Sequence, residues 1–203
     1  GDSGGPIVKA QDGPEIYSTL YSIAPSPHDT ATIWTGSDDG FVHITRNSGE
    51  SWRNVTPPDM LAHTRVMTID ISQHDAATAY VAGIRYEMDD RSPYVWKTND
   101  YGESWMRIVD GITQDDFVRV IREDPYRLGL LYAGTEHGVY ISFDDGANWT
   151  TLSYNLPDTP VTGLAVKDRD LVISTHGRSF WVLDDIETLR QIRADVAMAD
   201  AHI

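Results

Sequence analysis

A motif of eight residues occurs three times in this chain of 203 residues, and it constrains the fold more than any other feature of the sequence. Its pattern, which we call the box, is Ser or Thr, any residue, Asp or Asn, any residue, Gly, any two residues, and Trp. The copies occupy residues 45–52, 98–105 and 142–149, so their tryptophans lie 53 and 44 residues apart. Self-similarity at such a period is typical of repeat architectures, in which each repeat is one supersecondary unit.

The chemistry of the box fits a tight turn between two strands. The hydroxyl and carboxylate can accept hydrogen bonds from N–H groups of the turn, and Gly permits a positive φ. We expect the Trp to fold back over its own hairpin and bury its ring there. Because the carboxylates are then committed to the backbone, and because Asn47 replaces Asp in the first copy, a structural role is favoured over a catalytic one. The residues that define the turns are Thr45, Asn47, Gly49, Trp52, Thr98, Asp100, Gly102, Trp105, Ser142, Asp144, Gly146 and Trp149.

Each box closes a larger repeat of β-rich segments. Alternating apolar runs with a turn precede the boxes at residues 33–45, 79–98 and 131–142, and earlier runs lie at 20–29, 66–75 and 118–125. Residues 161–185 repeat the first three runs without a box. Four-stranded antiparallel units of about 40–50 residues are β-propeller blades. The sequence therefore predicts an all-β fold with a partial propeller over residues 1–184, blades at about 17–56, 64–109, 117–153 and 161–184, and a helical extension over 185–203.

Composition and charge exclude several classes of protein. The chain has 16 Lys and Arg against 31 Asp and Glu, a formal net charge of −15. This charge is repelled by phosphate backbones, so we expect no nucleic-acid partner. No run of about 18 apolar residues occurs, which argues against membrane insertion. The absence of Cys excludes disulfide scaffolds, Cys-based zinc sites and thiol catalysis.

The repeats resemble the Asp-box, or bacterial neuraminidase repeat, of sialidases, xyloglucanases and the sortilin propeller. More closely, they resemble a bacterial group of exported, sortilin-like propellers that are commonly labelled glycosyl hydrolases. The segments that carry this resemblance are residues 23–29, 33–40, 95–105, 115–125, 131–149 and 174–185. The resemblance covers most of the chain and implies a propeller fold and an exported location, periplasmic or extracellular. It does not extend to sialidase activity, because the Arg-Ile-Pro segment that introduces the sialidase catalytic set is absent from the sequence.

The last repeat resembles the end of the propeller in that group, where a helix leaves the final blade. Residues 185–197 have helical propensity and no strand pattern. Three and a half blades do not close a ring, since propellers typically have about four to eight. We therefore expect the chain to be the C-terminal part of a larger propeller whose remaining blades lie upstream of Gly1.

The antiparallel order of the strands assigns the turns to two rims. The turns between second and third strands and the connections between blades share one rim, the loop rim, whereas the boxes and the first turns share the other, the box rim. One turn of the loop rim, residues 85–91, is much longer than its counterparts, and function concentrates in loops on a rigid scaffold. The candidate binding residues are Arg85, Tyr86, Asp89, Asp90, Asp116, Arg119, Glu136, His137, His176 and Arg178. No catalytic residue is assigned, and Asp116, Asp89 and Arg178 are the candidates for such a role.

Each of these candidates has a structural alternative. Arg65, Arg119 and Arg178 could grip a carboxylate of a ligand, or each could pair with a neighbouring acid of the protein. His137 and His176 occupy equivalent turns, but no ligand spacing supports a shared metal. No cofactor and no metal site are predicted, with calcium as a minor alternative because carboxylate oxygens are abundant.

Because every strong motif is structural, the leading hypothesis is a non-catalytic scaffold that binds a protein, peptide or glycan at the loop rim. The alternative is a glycoside hydrolase of the sialidase or xyloglucanase kind, which needs two carboxyl groups about 5–9.5 Å apart. A third hypothesis is an accessory domain of a secreted peptidase. Residues 1–6 resemble the nucleophile segment of chymotrypsin-like proteases, but the partner His and Asp precede the Ser in that fold. We therefore interpret residues 1–13 as a loop between blades or a frayed end.

Overall fold

The computed structural model describes residues 18–192, which fold into four antiparallel sheets. In each sheet the spatial order of the strands is their order in the sequence. The first sheet contains β1 (Leu20–Pro25), β2 (Ile33–Ser37), β3 (Val42–Thr45) and β4 (Arg53–Asn54). The second contains β5 (Arg65–Ile71), β6 (Ala79–Arg85), β7 (Asp90–Thr98) and β8 (Met106–Arg107). The third contains β9 (Val118–Glu123), β10 (Leu131–Thr135), β11 (Val139–Ser142) and β12 (Thr150–Thr151). The fourth contains β13 (Val161–Lys167), β14 (Asp170–Thr175) and β15 (Phe180–Leu183).

Two short helices accompany the strands. A 3-10 helix, Tyr86–Met88, lies between β6 and β7, and the α-helix α1, Glu187–Gln191, follows β15. The three complete sheets and the three-stranded fourth confirm the prediction of an all-β fold with about three and a half blades and a short helix. The rest of the predicted extension, residues 193–203, and the predicted loop 1–13 with its protease-like segment lie outside the described residues. Within residues 18–192, no helix is long and apolar enough to cross a membrane.

The hydrophobic core lies between consecutive sheets. Trp34 of the first sheet and Trp96 of the second are fully buried in one apolar cluster and are its largest side chains. Two further clusters join the second sheet to the third and the third to the fourth. Each junction therefore has its own core, as expected for a repeat protein whose units contact only their neighbours.

Glycines in the second strands bring neighbouring sheets close together. A Cβ atom at Gly36 would lie 2.3 Å from Cγ1 of Val66, and one at Gly134 would lie 2.5 Å from Cγ1 of Val161. Both valines belong to the first strand of the next sheet. Only a residue without a side chain permits this approach, which explains why Gly occupies these positions.

The box turns have the same hydrogen-bond pattern in all three copies. In the second copy, Thr98 Oγ1 accepts the N–H of Gly102 at 2.9 Å and donates to Asp100 Oδ1 at 2.7 Å. Asp100 Oδ1 also accepts the N–H of Ser104 at 2.9 Å. Burial raises the pKa of Asp100 slightly, but these hydrogen bonds outweigh it and lower the pKa to about 2. The same bonds form around Asn47 in the first copy and Asp144 in the third.

The box tryptophans of the second and third sheets pack against the preceding sheet. The indole N–H of Trp105 donates to the carbonyl of Val55 at 2.8 Å, and that of Trp149 donates to the carbonyl of Ile108 at 3.0 Å. The prediction that each Trp folds over its own hairpin is therefore wrong for these two. The physical reason is that the buried N–H needs an acceptor, and the residue that follows each outermost strand provides one.

A histidine in the first turn of two sheets makes a second link to the next sheet on the box rim. Nε2 of His28 donates to the carbonyl of Ser72 at 2.9 Å, and Nε2 of His74 donates to the carbonyl of Asp124 at 2.9 Å. The third sheet has Tyr126 at the corresponding position. These bonds supplement the apolar junctions at the surface, where the cores end.

One arginine on an innermost strand connects three sheets. Nη1 of Arg122 lies 3.2 Å from Oδ1 of Asp70, and Nε of Arg122 donates to the carbonyl of Leu164 at 3.1 Å. Asp70 Oδ2 also accepts the N–H of Glu123 at 2.8 Å. Burial raises the pKa of Asp70 to about 6, although Arg122 and the Glu123 N–H oppose the shift.

Helix α1 docks between the third and fourth sheets. Its Ile186 and Leu189 join the apolar cluster of that junction. Nε of Arg190 donates to both oxygens of Asp124 at 3.0 and 3.1 Å, and both side chains are buried. The helix thus follows the third strand of its sheet at the point in the repeat where the other sheets have a box.

Candidate functional site

The loop rim is built around the long turn between β6 and β7. Nε of Arg85 pairs with Oδ2 of Asp90 at 3.0 Å, and the hydroxyl of Tyr94 donates to the same oxygen at 2.7 Å. Burial raises the pKa of Asp90, but hydrogen bonds from Tyr94, Ser92 and Arg85 outweigh it, so the pKa lies below its ordinary value. Asp89 ends the 3-10 helix with a left-handed φ of 54°. This turn is therefore fixed from within and presents Tyr86, which is 44% exposed.

A row of aromatic and arginine side chains runs from this turn to the third sheet. The rings of Tyr86 and Phe117 stack with centroids 5.8 Å apart, and the guanidinium of Arg119 lies 4.9 Å from the Phe117 centroid. Arg119 also donates two hydrogen bonds to Oε2 of Glu136, at 2.6 and 2.8 Å. Side chains from two sheets thus form one continuous surface, which we call the aromatic row.

Arg65 lies beside the aromatic row at the start of β5. Its Nη2 is 2.6 Å from Oε1 of Glu87, and its guanidinium lies 4.7 Å from the ring centroid of Tyr21. Burial lowers the pKa of Arg65, but the charge of Glu87 and smaller contributions from Tyr21 and Tyr86 together outweigh it, and the pKa rises above its ordinary value. Arg65, Arg85 and Arg119 therefore each have an acidic partner within the protein.

Asp116 is the most buried of the predicted binding residues, with 4% of its surface exposed. Its Oδ2 accepts the hydroxyl of Thr135 at 3.0 Å, and its Oδ1 accepts the backbone N–H of His137 at 3.1 Å. Burial raises the pKa of Asp116 above its ordinary value, and the hydrogen bonds from Thr135 and His137 only partly oppose this. The Asp116 carboxyl group therefore keeps its proton to a higher pH than a surface Asp does, as acids at functional sites often do.

Asp116 and His137 line a cavity of about 370 Å³ at the third sheet. The hydroxyl groups of Thr113 and Tyr140 also line this cavity, and their oxygens lie 3.1 Å apart. Nδ1 of His137 lies 2.9 Å from Oδ1 of Asp158, and this hydrogen bond raises the pKa of the imidazole. The cavity combines a carboxyl group, an imidazole and hydroxyls, which suits a polar ligand with hydroxyl or amide groups.

The structure places the two remaining predicted residues on the turn of the fourth sheet. The backbone N–H of His176 donates to the carbonyl of Pro160, and that of Arg178 donates to the hydroxyl of Thr175. Arg178 is exposed. No contact joins this turn to the aromatic row among the bonds and ring contacts of the described residues. Within residues 18–192, no group of three or more His, Asp and Glu side chains is arranged to hold a metal ion.

Several residues that complete this surface were missed by sequence reasoning. Tyr21, Glu87, Phe117 and Asp158 contact the predicted residues directly, as ring or acidic partners. Phe117 and Glu87 are adjacent in sequence to predicted residues, so proximity could have suggested them. Tyr21 and Asp158 come from other repeats, and nothing local in the sequence indicates their positions.

Comparison with known proteins identifies the sheets as propeller blades. No protein-family model matches the chain. The oligoxyloglucan-reducing end-specific xyloglucanase of Emericella nidulans is 26% identical over 136 residues, 65% of this chain and 17% of that enzyme. The GH74 xyloglucanase from Xanthomonas campestris superimposes with a TM-score of 0.63 and 17% identity, over 83% of this chain and 29% of that chain. YCF48 bound to D1 peptide superimposes with a TM-score of 0.61 and 17% identity, over 82% of this chain and 51% of that chain.

These neighbours are β-propellers, and the four sheets of the chain are therefore blades of a propeller fold. At these identities the solved structures establish the fold alone, because one fold supports many functions. The chain also spans only part of each protein, from 17% of the curated enzyme to 51% of YCF48. The neighbours include one protein solved with a peptide and others named as xyloglucanases.

Proposed function

We propose that the chain is a non-catalytic propeller module that binds a peptide, protein or glycan on its loop rim. The observation that carries this proposal is the aromatic row, in which Tyr86 is exposed and stacked on Phe117 above a fixed turn. Such a surface offers apolar contact area at low entropic cost, because its rings are already held in place. An exported location and further blades upstream of Gly1 belong to the same proposal and rest on the family resemblance.

The ion pairs of the rim indicate which ligands suit it. Since Arg65, Arg85 and Arg119 are neutralised by acids of the protein, they are poorly placed to grip a ligand carboxylate or phosphate. The net charge of −15 further disfavours anionic polymers. Neutral or basic polymers with polar groups fit best, recognised by ring stacking and by the acceptors of the rim.

The test is binding to a glycan array and to a displayed peptide library, followed by variants. We expect Tyr86→Ala to weaken binding about tenfold, the effect of losing one well-packed aromatic contact. Leu128→Ala is the matched control, because Leu128 is 67% exposed in a turn of the box rim. Equal binding by Tyr86→Ala, His137→Ala and the wild type would remove the loop rim as the binding surface.

A second candidate function, glycoside hydrolysis, is favoured by one specific feature. Asp116 combines burial, a raised pKa and a position in the wall of a cavity, which are properties of a general acid. The Emericella nidulans enzyme that is similar to this chain in sequence is named a xyloglucanase, although the chain matches only 17% of it. Release of reducing ends from xyloglucan oligosaccharides, and its loss in Asp116→Asn, would support hydrolysis. Binding of those oligosaccharides without turnover would support the non-catalytic module instead.

A further inference from the structure

On the box rim, the first sheet carries a box whose Trp52 indole N–H has no acceptor among the described residues. This box has the same internal hydrogen bonds as the other two. It differs in what its Trp and Gly contact. The difference identifies the kind of surface that fits there.

The second and third boxes define how a box joins the preceding blade. Gly102, at φ 81°, lies so near Val55 that a Cβ would be 2.7 Å from Val55 Cβ. Gly146, at φ 86°, is equally close to Ile108, with a distance of 2.5 Å to Cδ1. The indole of the same box donates to the carbonyl of the same aliphatic residue. A branched aliphatic residue directly after the outermost strand therefore forms the socket for the next box.

The socket of the third blade is filled in a different way. Leu152 follows β12 as Val55 follows β4, and its N–H likewise donates to the third strand of its sheet. Ile186 and Leu189 of α1 share an apolar cluster with Leu152. All three sockets of the described residues are thus occupied within the chain.

The first box is a plug of the same kind without a socket. Trp52 is 44% exposed, whereas Trp149 is 5% exposed. Among residues 18–192, a Cβ at Gly49, at φ 91°, would meet only Nε1 of Trp52 itself, at 3.9 Å. The free space is where Val55 and Ile108 lie against the other boxes.

The charged residues beside the boxes indicate a second property of the surface that would fit the first box. Glu103 of the second box forms an ion pair with Arg53, which lies two residues before Val55. The third box has Ala147 at the position of Glu103, and Met106 stands at the position of Arg53. The first box has Glu50 at this position, and Glu50 is exposed. By analogy with the pair of Glu103 and Arg53, we expect a basic residue opposite Glu50.

We propose that the surface formed by Gly49, Glu50 and Trp52 is the docking site for a further four-stranded blade. The outermost strand of that blade carries a basic residue, followed two positions later by Val, Ile or Leu. A second copy of this chain does not supply the socket, because the three sockets of the described residues are filled and the fourth sheet has three strands. The proposal rests on the further blades that belong to the proposed function, whereas it does not depend on ligand binding at the loop rim.

The test supplies such a blade to the complete chain. A copy of residues 18–64, which contains Arg53 and Val55, is fused ahead of Gly1, with Trp52→Phe in the copy so that one Trp52 remains. Hydrogen exchange of the Trp52 indole N–H, followed by ¹⁵N NMR, is expected to slow by roughly tenfold or more. The matched control carries Val55→Asp and Arg53→Glu in the added copy and is expected to restore fast exchange.

A cross-link provides a second measurement. The natural chain has no Cys. Glu50→Cys in the chain and Arg53→Cys in the added copy are therefore expected to form one disulfide, which His43→Cys in the copy does not form with position 50. An indole N–H that stays exposed together with the absence of the disulfide would overturn the proposal. Slow exchange that depends on concentration in the chain without the added blade would also overturn it, because it would indicate self-association.

Discussion

The Asp or Asn at the third position of the box acts through its side-chain oxygen. Oδ1 of Asp100 accepts from Thr98 and from the N–H of Ser104, and Oδ1 of Asn47 accepts from Thr45 and from the N–H of Ser51. An amide oxygen and a carboxylate oxygen therefore do the same work in this turn. The charge is not required for the turn itself.

We accordingly expect Asp100→Asn to be tolerated better than Asp100→Ala. The alanine variant loses the three hydrogen bonds that the Asp100 carboxylate accepts from Thr98 and Ser104. We expect it to lower the free energy of unfolding by about 1 kcal/mol, and the asparagine variant to lower it by less than half of that. Chemical denaturation of the two variants measures the difference. An equal loss would mean that the charge, and not the hydrogen-bond pattern, stabilises the turn.

The raised pKa of Asp70 couples folding to pH. Its pKa is about 6 in the folded chain against 3.8 for a free side chain, so the fold favours the protonated form. The resulting stabilisation is fully present below pH 3.8 and is lost as the pH rises through about 6. The shift of roughly two units corresponds to about 3 kcal/mol.

We expect the stability of the wild type relative to Asp70→Asn to fall by up to about 3 kcal/mol between pH 4 and pH 7. Denaturation at a series of pH values measures this difference. Asp184→Asn, at an exposed position, is the control and should follow the wild type at every pH. Parallel curves for the wild type and Asp70→Asn would contradict the assignment.

The pair of Arg190 and Asp124 is the least exposed ion pair of the described residues, with side-chain exposures of 7% and 0%. Arg190→Ala leaves the Asp124 carboxylate buried without its cation, so we expect a loss of about 3–5 kcal/mol in stability. The double variant Arg190→Met with Asp124→Asn should recover part of this loss, because it removes both charges. Arg178→Ala, at an exposed arginine, is expected to change stability by less than about 0.5 kcal/mol.

At the scale of the elements, the box is a connector between blades. It closes its own hairpin through hydrogen bonds from backbone N–H groups, and in the second and third boxes the Trp indole donates to the preceding blade. At the junction of the third and fourth sheets, the segment with helix α1 closes no hairpin but packs against the preceding blade through Ile186 and Leu189. A box can therefore be replaced by a different element as long as the apolar socket is filled.

The three box tryptophans should consequently differ in their effect on stability. Trp149→Ala removes a buried ring and its hydrogen bond to Ile108, and we expect a loss of about 3–5 kcal/mol. Trp52→Ala removes a half-exposed ring with no such bond, and we expect a loss below about 1 kcal/mol. Thermal and chemical denaturation of both variants provides the comparison. Similar losses would mean that the ring stabilises its own hairpin after all.

The strands were predictable from the sequence because their determinants are local. Alternating apolar residues recur in each repeat, and glycine turns at Gly40 and Gly138 mark the first and third, so β2, β3, β10 and β11 could be placed without tertiary information. Whether Trp105 and Trp149 pack on their own hairpins or on the preceding sheet could not be predicted in this way. A hairpin offers its own face and the neighbouring blade at similar distances, and the choice depends on a carbonyl that lies about 50 residues away.

The candidate site was predicted only in part for a related reason. Tyr86 and Asp116 could be recognised because they lie in turns that share a rim. Tyr21, which contacts Arg65, and Asp158, which contacts His137, lie outside the repeats of their partners, and these contacts depend on how neighbouring blades pack. The ion pairs of Arg119 and Arg65 agree with the structural alternative drawn from the sequence.

At the scale of the whole molecule, the chain is a row of four units joined by three junctions. Its stability is then close to a sum of terms for units and junctions, so the end units depend on one junction each and the inner units on two. We expect amide hydrogen exchange to be slowest in β6 and β10 of the inner blades and faster in β1 and β15 of the end blades. Mass spectrometry after exchange of intact protein and proteolysis measures this gradient. Uniform protection would mean that the row unfolds as one cooperative unit.

The close approach at Gly36 and Gly134 has a geometric consequence for the angle between consecutive sheets. These glycines lie on second strands that touch the first strand of the next blade, so they set how closely consecutive sheets approach there. A wider inner contact would make the sheets more nearly parallel, and more of them would then be needed to turn through a full circle. The curvature of this row of four blades thus depends in part on two positions where a single carbon atom is absent.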